Sequence, residues 1–143
     1  MLVRFSVALA ELALQSPDWE DPVRDVMQAL MSPTAVHARA ALQFIVVLPE
    51  ELVNVRVPID AARRERFRRY LSSVGWAYIQ PILQTELNST ADSQARAIKM
   101  LASWIAAKAV PLNVVLESQL LQFAFEVRQY GKYGNYGGFL TLF

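Results

Sequence analysis

The sequence contains no cysteine and a single histidine, His37, in 143 residues. Disulfide scaffolds, zinc fingers, cysteine nucleophiles and His-rich metal sites are therefore excluded. Glycine is nearly missing from the main body, where Gly75 is the only one ahead of Gly131. A Walker loop or a dinucleotide fingerprint has no glycines to form on, and no Gly-x-Ser-x-Gly elbow occurs. An excess of either charge is also lacking. Lys plus Arg number 14 and Asp plus Glu 13, for a formal net charge of +1. Global charge thus gives no pull towards nucleic acid or an anionic membrane. Nor is there a long hydrophobic run. The longest uncharged stretch, Tyr70 to Thr85, is interrupted by Ser72, Ser73, Gln80 and Pro81. It falls short of the roughly 18 apolar residues of a membrane span, so no membrane insertion is expected. Glu11 breaks the apolar start at helical spacing, which does not suit a signal peptide. The missing cysteines fit an intracellular protein.

What is present is apolar and helical. Hydrophobic residues make up 54% of the chain and charged residues 19%, too apolar for disorder and enough for a sizeable core. Leu2, Phe5, Leu9 and Leu12 fall at helical spacing and predict one buried stripe. Ser16-Pro-Asp18 ends that helix. Asp21-Pro22 reads as a cap followed by proline at the first helical position, leading to the stripe Val23, Val26, Met27 and Leu30. After Ser32-Pro-Thr34, the set Ala38, Leu42, Ile45 and Val46 to Leu48 predicts a helix apolar on most sides. Pro49 is expected to end it, and Val53 to Pro58 reads as an extended loop because one short strand would have no partner. Asp60 caps a fourth helix with the stripe Phe67, Leu71, Val74 and Tyr78, bent at Gly75 and Pro81. Beyond Asn88-Ser-Thr90, a fifth helix carries Ile98, Leu101, Trp104 and Ile105. Past Pro111 and Asn113, a sixth carries Leu116, Leu120, Phe123 and Val127.

The unit of apolar helix, proline-bearing break and second helix recurs at about 2–31, 34–87 and 92–129. The mean spacing lies near the ~40–47 residues of HEAT-type repeats, although an irregular six-helix bundle leaves a similar pattern. Residues 130–143 differ in kind. Four of the five glycines and three of the five tyrosines fall there, and such glycine density does not sustain a helix. This tail is expected to be disordered. Neither end offers a capping helix with a polar outer face, so both are expected to be cut ends of a longer stack.

Few residues suggest chemistry. His37 has no carboxylate or nucleophile beside it and is expected on a solvent-facing helix start. Glu50-Glu51 does not face across a substrate as hydrolytic carboxylates do, and reads as a solvated helix end. Trp19, Trp76 and Trp104 are expected in the packing. No nucleophile, base and oxyanion set can be assembled, so no enzyme activity, metal or cofactor is expected. The one charged cluster is Arg63, Arg64, Arg66, Arg68 and Arg69, interrupted by Glu65 and Phe67. It has two readings, a solvated helix face or a protein-binding face. Arg63 and Arg64 lie near a helix N-terminus, where the macrodipole disfavours cations. An acidic partner surface, or another acidic repeat in a longer chain, would account for that choice. With no second basic patch, nucleic acid is the weaker partner.

Several segments resemble a known family. Val7 to Gln15 with Pro17-Asp-Trp19 looks like an early repeat of a karyopherin-β nuclear transport receptor. Val46-Val-Leu-Pro-Glu-Glu-Leu52 and Ile59-Asp-Ala-Ala-Arg-Arg-Glu-Arg66 resemble successive segments of the transportin-SR and importin-thirteen branch. Lys99-Met-Leu-Ala-Ser-Trp104, Val110-Pro-Leu112 and Leu121 to Val127 are similar to its next repeat. The resemblance covers about residues 3–129. It implies an all-α HEAT-repeat solenoid of about three antiparallel helix pairs. It also implies a carrier that shuttles between cytoplasm and nucleus, binding protein cargo, Ran GTPase and nuclear pore proteins. Cargo in that branch includes SR-type splicing factors. The branch's arginine-rich cargo helix lies far downstream, so that role does not pass to Arg63–Arg69. In such receptors Ran and cargo meet the second helices of the repeats, here about 21–31, 61–87 and 113–129. Family members are several times longer, and the Gly/Tyr tail has no counterpart in them. A free-standing helical adaptor with one protein partner is the alternative, and an RNA-binding module using the arginine face is a third.

Overall fold

The computed structural model describes residues 2–30, 35–111 and 113. The expected break at 32–34, the helix over 113–129 and the tail over 130–143 lie outside the described residues. The described chain is all α: α1 (Leu2–Gln15), α2 (Pro22–Leu30), α3 (Ala35–Val53), α4 (Ala61–Tyr70), a π-helical turn (Leu71–Gly75), α5 (Trp76–Leu87) and α6 (Ala91–Ala106). The π-turn joins α4 and α5 without a break. Helices α1, α3 and α6 form one layer, with α1 and α6 both packed on α3, while α2 and α5 pack against α3 and α6 respectively. This is the layered packing of a HEAT-like solenoid. No helix among the described residues is long and apolar enough to cross a membrane.

Side chains in the connecting segments start the helices. The Asp21 carboxylate accepts from the Arg24 amide at 3.3 Å, and buried Pro22 takes the first helical position of α2, as the sequence predicts. Asp60 accepts from the Arg63 amide at 2.6 Å, and Thr90 caps α6 through the Ser93 amide at 3.2 Å. Each cap satisfies an amide that the helix itself leaves open. Residues 54–60 form the expected loop. It turns on Asn54, whose side-chain oxygen accepts from the Arg56 amide, and plugs Val57 into the core.

Helix α3 is the centre of the core. From Ala40 to Pro49 every residue is buried except Gln43, which is half-buried. Pro49 does not end this helix, contrary to the sequence expectation. A proline inside a helix removes one amide donor and so orphans the carbonyl four residues earlier. Here that carbonyl belongs to Ile45. It accepts instead from the Trp104 indole Nε1 on α6, at 3.0 Å in a buried setting. A donor from the neighbouring helix takes the place of the missing backbone amide, and α3 runs on to Val53. Trp104 is fully buried and also contacts the ring of Trp76, centroid to centroid 6.2 Å.

Two other expectations change. Of the stripe expected on α1, Phe5 and Leu12 do not join the buried face, and Leu9 is half-buried against the core. Phe5 and Leu12 are 49% and 56% exposed, whereas Ser6, Ala10, Ala13 and Leu14 are buried. Small side chains on α1 are what face α3, because they let the two backbones approach. In the fourth helix, Val74 is exposed and buried Gly75 takes its place. The π-turn causes this: the Trp76 amide reaches back five residues to the Leu71 carbonyl. One extra residue in the turn moves the buried face on by one position, giving Phe67, Leu71, Gly75, Ile79, Leu83 and Leu87. Gly75 has no side chain because a Cβ would stand 3.3 Å from both the Leu71 side chain and the Trp104 ring. The Arg69 carbonyl, loosened by the wide turn, accepts from the hydroxyls of Ser72 at 3.1 Å and Ser73 at 2.8 Å. Pro81 stays within α5 on its exposed side, with Ala77, whose carbonyl it orphans, also exposed.

Candidate functional site: the arginine helix

The five arginines of α4 do not form one face. Three are turned into the protein and meet helix ends. Arg63 donates from Nε to the Leu14 carbonyl at 2.9 Å, and from Nη2 to the carbonyls of Ala13 at 3.1 Å and Ser16 at 3.3 Å. These carbonyls lie at and just past the C-terminal end of α1; those of Ala13 and Ser16 also accept from the Ser16 and Trp19 amides, and that of Leu14 is left open to Arg63. Arg64 donates to the carbonyls of Leu52, Asn54 and Val57, at and just beyond the end of α3. Arg68 donates from Nη1 to the Lys108 carbonyl at 3.0 Å, just past the end of α6. Lys108 has a left-handed backbone, φ 56°, the conformation that closes a helix C-terminus.

This arrangement resolves the electrostatic conflict seen in the sequence. The N-terminus of α4 disfavours Arg63 and Arg64, but the C-termini of α1 and α3 carry partial negative charge and open acceptors. A guanidinium with five donors in a fixed fork can bridge several carbonyls at once, which an ammonium does less well. Arg63 also lies over the Phe67 ring, 5.3 Å from its centroid. Burial first, and then the neighbouring Arg66, lower its pKa from the ordinary arginine value.

The remaining two arginines are turned outward. Arg66 is exposed and has no hydrogen-bond or ion-pair partner among the described residues. Arg69 has a 69% exposed side chain and reaches Glu65 at 3.5 Å. Glu65 is held more closely by Arg68, at 2.6 Å and 2.9 Å. That hydrogen bonding draws its carboxyl down to about 2. An open groove of about 750 Å³ runs alongside, between the ends of α3 and α6 and the first turns of α4.

A second polar cluster ties α4 to α2, and the sequence reading missed it. The Tyr70 hydroxyl donates to Asp21 Oδ1 at 2.6 Å and accepts from the Val23 amide at 3.0 Å. Burial, and then this bond to Asp21, push its phenol far above the ordinary tyrosine value. Next to it the Trp19 indole donates to Asp25 at 2.9 Å. That bond first, and Arg24 second, draw the Asp25 carboxyl below its usual range. A tyrosine directly following an arginine run gave no hint of a partner 49 residues distant. His37 is exposed on the first turn of α3. Glu50 is exposed, and Glu51 accepts from the Asn54 side chain at 3.3 Å.

Layered helices joined at one edge by arginine–carbonyl contacts, with two arginines left outward, define an α-solenoid fragment of HEAT type. The family model for exportin 1-like proteins matches residues 1–135. The chain belongs to that family, within the importin-β superfamily of nuclear transport receptors. Among curated proteins, an uncharacterized protein of Schizosaccharomyces pombe is 29% identical over 135 residues, covering 87% of this chain and 14% of the relative. The chain thus spans a small part of the length of that relative. No solved structure matches it.

Proposed function

We propose that the chain is part of a nuclear transport receptor of the transportin-SR and importin-thirteen branch. Its repeats at 2–31, 34–87 and 92–129 help the receptor bind protein cargo and Ran GTPase and pass nuclear pore proteins, shuttling between cytoplasm and nucleus without catalysis. The observation that carries this reading is the exportin 1-like match over nearly the whole chain. The branch assignment is supported by how the resembling segments meet. Arg64, from the segment 59–66, caps the helix that ends in the segment 46–52, and Trp104, from the segment 99–104, completes the same helix at Ile45. The three segments form one interlocked unit, which gives a physical reason for their occurring together.

Of the five arginines, Arg66 and Arg69 are the protein-binding residues in this proposal. Arg63, Arg64 and Arg68 position α4. The test is titration of the full chain with Ran loaded with GTP or GDP. Binding selective for the GTP form is expected, reduced several-fold by Arg66→Glu with Arg69→Glu at unchanged melting temperature. Equal binding of both nucleotide forms would remove the Ran role. A single protein partner captured without nucleotide dependence would favour the adaptor reading.

A further inference from the structure

Away from the arginine helix, a second pocket of about 230 Å³ lies between α3 and α6. Its floor is apolar: Leu42 and Val46 of α3 and Met100 of α6, exposed by 9%, 7% and 0%. Its rim is polar and cationic, with Arg39 and Gln43 on one wall and Arg96 and Lys99 on the other. Arg39 and Lys99 are exposed and have no hydrogen-bond or ion-pair partner among the described residues. Arg96 is partly committed, to Ser93 at 2.9 Å and to Glu86 at 3.5 Å. The pocket therefore keeps two unneutralised positive charges, one on each wall, above an apolar floor.

We propose that this pocket binds a short acidic peptide segment of a partner protein that places one aliphatic side chain between two carboxylates. The spacing on both helices supports it. Arg39, Leu42, Gln43 and Val46 follow the i, i+3, i+4, i+7 ridge of α3, and Arg96, Lys99 and Met100 follow i, i+3, i+4 on α6. The two ridges bound a slot that opens between cations. The volume is ample for one aliphatic side chain, and the flanking cations match an acid on either side. Gln43 offers an amide to the peptide backbone. A free phosphate or a nucleic-acid backbone would use the cationic rim alone and leave the pocket between the helices empty, so the apolar lining of that pocket favours a peptide side chain. The pocket shares no residue with the arginine helix, and the inference stands apart from the Ran and cargo reading.

The test uses the full chain and a fluorescently labelled peptide, Glu-Asp-Leu-Asp-Glu, followed by anisotropy. A contact of this size predicts a Kd on the order of 0.1–1 mM. Lys99→Glu with Arg39→Glu is expected to weaken binding by at least about tenfold, and replacing the peptide leucine with serine by a similar factor. Both substituted residues are exposed, so an unchanged far-UV circular dichroism spectrum is expected. The milder pair Lys99→Ala with Arg39→Ala serves should the reversals perturb folding. Inorganic phosphate and a short oligo-dT are titrated alongside. Leucine-dependent peptide binding lost in these variants supports the proposal. Absence of binding at 5 mM peptide, binding indifferent to the leucine or to the variants, or oligo-dT binding at least as tightly through the same residues would each overturn it.

Discussion

The bond between Trp104 and the Ile45 carbonyl makes a quantitative claim about why a proline is tolerated in the central helix. Trp104→Phe removes the indole donor and leaves the Ile45 carbonyl buried without a partner. An orphaned buried acceptor costs about 1–3 kcal/mol. The smaller ring also leaves roughly 40 Å³ unfilled, which costs about 1 kcal/mol at ~24 cal/mol per Å³ of core cavity. The single variant should therefore lose about 2–4 kcal/mol. Pro49→Ala restores an amide four residues after Ile45. The new backbone bond and better helix propensity offset the lost burial of the proline ring, so this variant alone should lie within about 1 kcal/mol of the parent. In the Pro49→Ala background the carbonyl keeps a donor after Trp104→Phe, and only the packing loss remains, about 1 kcal/mol. The double-mutant cycle should yield a coupling of about 1–3 kcal/mol, the cost of the orphaned acceptor. Urea unfolding followed by circular dichroism, compared at a common m-value, resolves that difference. If Trp104→Phe costs the same in both backgrounds to within about 0.5 kcal/mol, the indole does not stand in for the missing amide.

The other expectations concern α4 and the outer face of α1. Arg64→Ala should lower stability by about 1–3 kcal/mol, because three carbonyls at the end of α3 lose a charged donor, and Arg64→Lys should recover only part of it. Arg66→Ala should change stability by less than about 0.5 kcal/mol; thermal unfolding of the two variants side by side checks the division of the arginines. The Glu65 carboxyl is drawn down to about 2 from its ordinary value of 4.5 by its hydrogen bonds to Arg68. Its contribution is thus fully present above the unfolded carboxyl's range and is lost as pH falls from about 4.5 towards 2. Glu65→Gln should flatten that part of the stability–pH curve, and an unchanged slope would assign the acid sensitivity elsewhere. The exposed Phe5 and Leu12 should make the chain self-associate as concentration rises. Light scattering should report a smaller mass for Phe5→Ser with Leu12→Ser.

Helix existence was legible because the chain writes it in period and punctuation. The caps at Asp21 and Asp60 and the burial of Val23, Val26, Met27, Ile98 and Leu101 follow from local rules, and the structure has them. Most of the misread positions share one cause, a partner distant in sequence. Pro49 looked like a stop because the donor that rescues Ile45 sits 59 residues away. Phe5 and Leu12 looked buried because hydrophobic periodicity favours large side chains, while the contact with α3 selects small ones. Val74 fell out of register because the π-turn leaves no mark in composition. The arginines are the instructive case. Their conflict with the dipole of their own helix was visible, and it pointed correctly to missing negative charge. The sequence suggested an outside partner, whereas for Arg63, Arg64 and Arg68 the charge comes from the ends of three other helices.

That arrangement also gives the stack a mechanical asymmetry. Helical solenoids flex by small rotations between neighbouring units. Arg63, Arg64 and Arg68 join one rigid helix to the ends of α1, α3 and α6, all along one edge. Curving the stack so that this edge spreads would stretch several charge-assisted bonds together. Curving it the opposite way strains none of them. This stretch should behave as a ratchet-like spring, stiff in one sense of bending and compliant in the other, and in a longer superhelix the opening motions would pass to units that have no such brace.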